Sequence, residues 1–261
     1  MVILDWFPLW AVYIGTVVIA LIATEIGFRA GLWLRSRDTS MGESHTASAL
    51  VGGMLGLLAF LLAMSVVTVV GQHNGRKAMV VTEANAIGTA YLRAGFLDEP
   101  DRNLSRDLLR EYVEVRLAAA TDVTLMESTV RRSEEIHAQL WSIVEDNVRQ
   151  GQDSAIMALY VDSINEVIDV HSLRWTAANL RLPRRLGIML YVAIVLSFML
   201  LGGTSGRDGK RISPLALLLF ALAFVAIFIV IVTLDRPQEG FVTVSQTALS
   251  DLLQQMTTSG P

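Results

Sequence analysis

Four uninterrupted apolar stretches constrain this chain more than any other feature of its sequence. Residues 6–24, 46–72, 186–205 and 212–234 each lack a charged side chain. About 20 apolar residues in a helix cross a hydrocarbon core about 30 Å thick, so each stretch is long enough to span a bilayer. The composition agrees: 52% of residues are hydrophobic, 18% are charged, and the mean hydropathy is +0.48. The first stretch reads as a span rather than a cleaved leader, because only Asp5 is charged before it and no small-residue cleavage site follows. The expected fold is therefore all-α, an integral membrane protein with four transmembrane helices.

Residues 29–45 join the first two spans and residues 202–211 form a short turn between the last two, which places both connections on one side. The N-terminus, residues 73–185 and the C-terminal tail then share the other side. Trp6, Trp10 and Trp33 sit where interfacial aromatic residues are favoured. Six basic residues lie in the two connections and seven near the opposite span ends, so positive charge does not choose an orientation.

Residues 73–185 carry 14 basic and 17 acidic side chains, with apolar positions at helical spacing such as Leu104, Leu108, Tyr112, Val115 and Ala119. Pro100 after Asp98 and Glu99 predicts a helix start, Gly151 a stop, and Pro183 another stop. No proline interrupts residues 72–97, so the second span is predicted to continue into this domain as one rod. The expected organisation is spans one and two over 1–72, a helical extramembrane domain over 73–185, spans three and four over 186–235, and a polar tail over 236–261 that is partly disordered after Glu239.

A net charge of -4 gives no reason to expect nucleic acid as a partner, and the absence of cysteine removes disulfides and thiolate chemistry. Glu134 and His137 form a single Glu-x-x-His pair, whereas carboxylate-bridged metal bundles need two such pairs and further glutamates. His171 with Glu166 and Asp169 does not supply the second, so these residues read as a solvated polar face. No phosphate loop, nucleophile elbow or His-Glu-x-x-His run occurs. Neither enzyme chemistry, nor a cofactor, nor a metal is expected. Glu25 is placed to pair with Arg29 four residues on.

The second span separates into two stripes at about 100° per residue. Ser48, Gly52, Gly56, Ala59 and Ala63 form a small-residue face suited to close helix packing. Roughly opposite lie Met54, Leu58, Leu61, Ser65, Thr68, Gln72 and Arg76, whose polarity rises toward the domain. This second stripe is the candidate pore lining, apolar at a constriction and polar at its mouth. In the bland alternative Ser65 and Thr68 bond their own backbone and Gln72 and Arg76 sit in headgroups.

Beyond the span the sequence reads Glu83-Ala84-Asn85-Ala86-Ile87-Gly88-Thr89-Ala90, with Tyr112-Val113-Glu114-Val115-Arg116 further on. These runs resemble the bacterial bestrophin-like domain family, and the resemblance covers nearly the whole chain. That family is similar to bestrophins, pentameric chloride channels whose second helix lines the pore and whose helical domain is cytosolic. The resemblance implies a homo-oligomeric ion channel in the inner (plasma) membrane, with lipid, small ions and further copies of itself as partners. A membrane-anchored scaffold whose helical domain binds a partner is the other expectation. Read from the residues alone, Gly88 and the surrounding alanines make a thin segment another helix can approach, and Glu83, Asn85 and Arg93 are candidates for a polar network between helices.

Overall fold

The computed structural model describes residues 7–37, 45–121, 123–152, 154–236 and 243–258. Trp6, residues 38–44 of the first connection and residues 237–242 and 259–261 of the tail lie outside these. Among the described residues every regular element is helical. In order they are α1 (Leu9–Arg37), α2 (His45–Arg93), α3 (Asp101–Thr121), α4 (Met126–Arg149), α5 (Ala155–Asn179), α6 (Arg184–Asp208), α7 (Pro214–Asp235) and α8 (Thr247–Thr258), with 3₁₀ turns at Ala94–Phe96 and Val123–Leu125. The boundaries have local causes. Ser154 caps α5 by accepting from the Met157 N–H at 3.1 Å. Gly209 ends α6 with a left-handed φ of 69°, and Pro214 opens α7 where its missing N–H costs nothing.

Four helices are long and apolar enough to cross a membrane: α1, α2, α7 and, within residues 155–208, the run containing α6. The chain forms two compact units, one of residues 1–72 and 181–242 and one of residues 73–180 and 243–261. Each is built differently because one is apolar throughout and the other amphipathic.

In the first unit α1 packs chiefly on α6. A Cβ built on Gly27 or Gly31 would fall on the carbonyl oxygens of Met199 and Gly203, and one built on Gly202 or Gly206 on those of Thr24 and Phe28. The two backbones touch through two reciprocal small-xxx-small pairs, the arrangement that lets helices approach closely in lipid. This corrects the expectation that residues 202–211 form a turn. Gly202, Gly203 and Gly206 belong to α6, where the intrinsic cost of glycine in a helix, about 1 kcal/mol each, is offset by this contact. Phe198, Phe228, Leu190 and Ile194 fill the rest of the unit's core with Leu58, Leu62 and Val69 of α2. At its edge the Leu182 N–H donates to Asp235 Oδ1 at 2.6 Å and Arg236 donates to the Phe7 carbonyl at 3.1 Å.

The second unit has an ordinary amphipathic core of Ile87, Leu109, Tyr112, Ile136, Leu140, Tyr160 and Ile164. The tail differs from the polar, partly disordered segment expected. Residues 247–258 are helix α8, which buries Leu249 and Met256 in this core. Leu252 approaches Gly88 so closely that an added Cβ would sit 3.2 Å from its Cδ1, and Tyr91 donates to the Met256 carbonyl at 3.4 Å. Gly88 is thus a packing glycine, and its neighbour is α8.

Gly202→Ala and Gly27→Ala each force a methyl group into opposing backbone and should lower stability by about 1–3 kcal/mol or more. Gly15→Ala, with nothing within 4 Å of the added atom, should be neutral. Thermal unfolding of the purified full chain in mild detergent checks both, and equal melting temperatures for all three variants would refute the contact.

Candidate functional site

Two features of the chain have the makings of a functional site, one in each unit. In the membrane unit α2 divides sharply by exposure. Leu58 and Ser65 are 1% and 2% exposed, Met54 and Leu61 are half-buried, and Thr68 is exposed. The Ser65 hydroxyl donates to the Leu61 carbonyl at 2.7 Å and Thr68 to that of Met64 at 3.0 Å. A side chain facing an axial pore must be exposed on the single protomer, and Leu58 and Ser65 are not. The pore-lining expectation is therefore corrected at Leu58 and Ser65, which are buried in the protomer, Leu58 packing with Leu62 and Val69 in the unit's own core. Gln72 is half-buried. Arg76, which belongs to the second unit, is 5% exposed and donates to the carbonyls of Ala177 and Leu180 at 3.2 and 2.5 Å, so it closes the end of α5.

The opposite face of α2 is open. Gly52, Gly56, Ala59 and Ala63 are exposed, and nothing lies within 4 Å of a Cβ built on either glycine. Phe60 is 61% exposed and Val67 is 73% exposed on the same side. Within one chain, then, the small-residue face packs against none of the described residues. The glycines of this unit that meet the backbone of a facing helix are Gly27, Gly31, Gly202 and Gly206, and their four-residue spacing was the signal in the sequence that could have found them.

In the second unit four helices bring polar side chains to one buried point. Each does so by the same rule, a polar residue on the otherwise apolar face. Helix α2 places Glu83 among Val80, Ala84 and Ile87, and α3 places Tyr112 and Arg116 one turn apart. Helix α4 places Ser133 and His137 one turn apart, and α5 places His171 and Arg174. Glu83 is 0% exposed. Its Oε1 accepts from the Tyr112 hydroxyl and from Arg116 Nε, both at 3.0 Å, and its Oε2 pairs with Arg174. The Tyr112 oxygen also lies 2.9 Å from His171 Nδ1. Since the tyrosine's one proton goes to the carboxylate, His171 must carry its proton on Nδ1 and donate. The result is a directed chain from His171 through Tyr112 to Glu83. The His137 ring stands 5.0 Å from those of Tyr112 and His171. Its Nε2 and the Ser133 hydroxyl are buried without a hydrogen-bond partner among the described residues.

The electrostatics follow from burial beside cations. Burial, then the nearby Arg116 charge, pushes both His137 and His171 down to about 4, His137 adding to the effect on His171. Burial pushes the Tyr112 hydroxyl up to about 12 against the pull of Arg116, and burial brings Arg174 down to about 10. At neutral pH both imidazoles are uncharged and one carboxylate faces two guanidinium groups.

The residues proposed from sequence as a network are therefore divided. Glu83 is central, Asn85 is exposed, and Arg93 bonds elsewhere, to the Leu159 carbonyl at 2.6 Å and Asp162 at 3.3 Å. His137 and His171 are interior, which corrects the solvated-face reading for the two histidines, while Glu134, Glu166 and Asp169 are exposed. Helical spacing could have shown this, because His137 and Leu140 share a face, as do His171 and Val167. Glu25 does pair with Arg29, at 2.9 Å.

Removing the carboxylate should strand two buried guanidinium groups. Glu83→Gln is expected to cost about 3–5 kcal/mol, while Asn85→Ala should stay within about 0.5 kcal/mol, both read by chemical denaturation in detergent. For the imidazoles the folded pKa lies below the unfolded value of about 6.5, so their stabilisation is complete above pH 6.5 and is lost as pH falls toward 4. Each contributes a slope of up to about 1.4 kcal/mol per pH unit. Melting temperature against pH should flatten between pH 6.5 and 5 in a His137→Phe/His171→Gln variant, and an unchanged slope would reject the assignment.

The Bestrophin-like domain family model matches residues 10–249. A bacterial bestrophin homologue from Klebsiella pneumoniae shares the fold at a TM-score of 0.65, with 14% identity over 95% of this chain and 98% of that one. Two variants of a bacterial bestrophin homologue from the same organism give TM-scores of 0.68 and 0.67 at 12% identity, covering 97% and 94% of this chain and 98% and 97% of theirs. No functionally curated protein matches the chain. Glu83, Tyr112 and Arg116, three of the four charged and aromatic residues in the two runs that carried the resemblance, meet in the buried cluster, whereas Glu114 is exposed. With the match spanning nearly the whole sequence and four apolar helices to cross a bilayer, the chain is an all-helical, multi-pass membrane protein and belongs to the Bestrophin-like domain family.

Proposed function

We propose that the chain conducts ions as a homo-oligomer whose copies close around the exposed face of α2. The observation that carries this reading is the asymmetry of that helix inside the membrane unit. One side is buried in its own protomer, while Gly52, Gly56, Phe60, Ala63 and Val67 are left open. A single helix encloses nothing, so conduction requires several copies arranged about an axis. In such a ring Gly52 and Gly56 permit close approach of neighbouring helices. Phe60 and Val67 form the apolar constriction, with Thr68 at the edge of the same face. The family resemblance implies five copies, small anions as the permeant species and a cytosolic second unit. A second reading, a membrane-anchored scaffold, is favoured by the apolar side chains exposed on the second unit, where Leu92 is 72%, Leu173 57% and Phe96 52% exposed. A partner protein would cover them.

The two faces of α2 make opposite predictions. Phe60→Ala and Val67→Ser should raise basal conductance of reconstituted bilayers by about tenfold, equivalent to about 1.4 kcal/mol off the barrier. Leu58→Ala should instead cost about 2–5 kcal/mol of stability and leave conductance per assembled channel unchanged. Gly52→Leu and Gly56→Leu should leave the protomer folded and reduce the mass of the assembly. If the Phe60 variant assembles as a ring and passes no current, the scaffold reading replaces the channel.

A further inference from the structure

Within the membrane unit, a cavity of about 180 Å³ opens beside the glycine contact of α1 and α6, lined by Thr24, Phe28, Gly202 and Ser205 and by Pro214 at the start of α7. Its apolar floor includes Leu21, Ile212 and Leu217, and its rim carries Glu25 and Arg211. Arg211 is fixed over that rim from two sides. Its Nη2 lies 3.3 Å from each oxygen of Glu25, and its guanidinium stands 4.9 Å above the Phe28 ring. Arg29 takes the same carboxylate at 2.9 Å, so one anion serves two cations. Both guanidinium groups keep most of their surface open, with side chains 77% and 70% exposed for Arg29 and Arg211. The Arg35 guanidinium packs onto Gly209 of the same connection, and Arg207 and Lys210 flank it in sequence. Residues 25–45 and 202–211 together carry six basic side chains against four acidic ones, Glu25, Asp38, Glu43 and Asp208.

A cationic rim above an apolar floor, at the end of membrane-crossing helices, complements a molecule with an anionic head and hydrocarbon chains. The volume suits a head and the first part of a chain, since a water molecule takes about 30 Å³. Exposed Ile22 and Leu218, next in sequence to two floor residues, are 52% and 38% exposed and present hydrocarbon to the chains. We propose that this cavity is a binding site for an anionic phospholipid, with the phosphodiester on Arg211 and its neighbour Arg29, and the acyl chains lying over α1 and α7. Glu25 acts here as a positioning residue that holds Arg211 over the mouth. The site does not depend on whether the chain conducts ions.

The test uses the full chain, purified in mild detergent and titrated with phosphatidylglycerol or phosphatidylcholine while bound lipid is counted by native mass spectrometry. Phosphatidylglycerol should be retained in preference to phosphatidylcholine. Arg211→Gln should weaken its retention by about fivefold, the weight of one basic residue near a headgroup. Leu217→Trp, which fills the cavity without changing charge, should abolish retention while the melting temperature shows that the variant is folded. Equal affinity for the two lipids, or full retention by either variant, would overturn the proposal. So would displacement of the lipid by millimolar glycerol 3-phosphate, which would make this a site for a free phosphate ion.

Discussion

In hydrocarbon there is no hydrophobic force to press two helices together, so the membrane unit depends on how closely backbones can approach. The α1–α6 contact answers that constraint with four glycines whose missing side chains admit carbonyl oxygens of the facing helix. The remaining contacts arrange themselves around it. Phe198 and Phe228 fill the space beside the contact, and the cavity under Arg211 lies between its Gly202 end and the start of α7. Apolar side chains that point away, such as Ile14, Ile26 and Leu219, are exposed on the protomer because lipid is as good a neighbour for them as protein.

The second unit is governed by the opposite economy. Water drives its apolar faces together, and the buried charges are tolerated only because they are mutually satisfied. Glu83 receives three partners from two other helices, α3 and α5. Such a point fixes register, since a shift of any contributing helix by one residue would turn its donor away and leave a buried charge without a counterpart. The neutral imidazoles extend the arrangement without adding charge.

Element boundaries were largely legible in the sequence because their signals are local. Pro100, Gly151 and Pro183 mark helix ends through backbone geometry alone, and the four apolar stretches declare themselves by length. What was not legible depended on partners. The two stripes of α2 were separable by angle, but which of them faces the protomer is set by α6 and α7, distant in sequence. Gly202 to Gly206 looked like a turn because glycine and serine favour turns, and only the proximity of α1 makes that run helical. The same limit applies to Arg93, whose partners lie on α5, and to the tail, whose polar composition concealed the apolar face of α8. Glu83 could be named but its partners could not, because 29 and 33 residues separate it from Tyr112 and Arg116.

The packing of α8 has a consequence for how the protein is made. The second unit closes only when residues 247–258 reach Gly88, Tyr91 and the core around Ile87, and those residues are synthesised after α2 to α7. Helices α2 to α5 must therefore wait, with their apolar faces incomplete, while α6 and α7 are synthesised and inserted. Helices α6 and α7 lie between α5 and α8 in the sequence, so both are made before α8 can dock. Docking of α8 thus reports, in the second unit, that α6 and α7 have already been made, and a chain lacking α8 is left with an open seam that quality-control proteases can recognise.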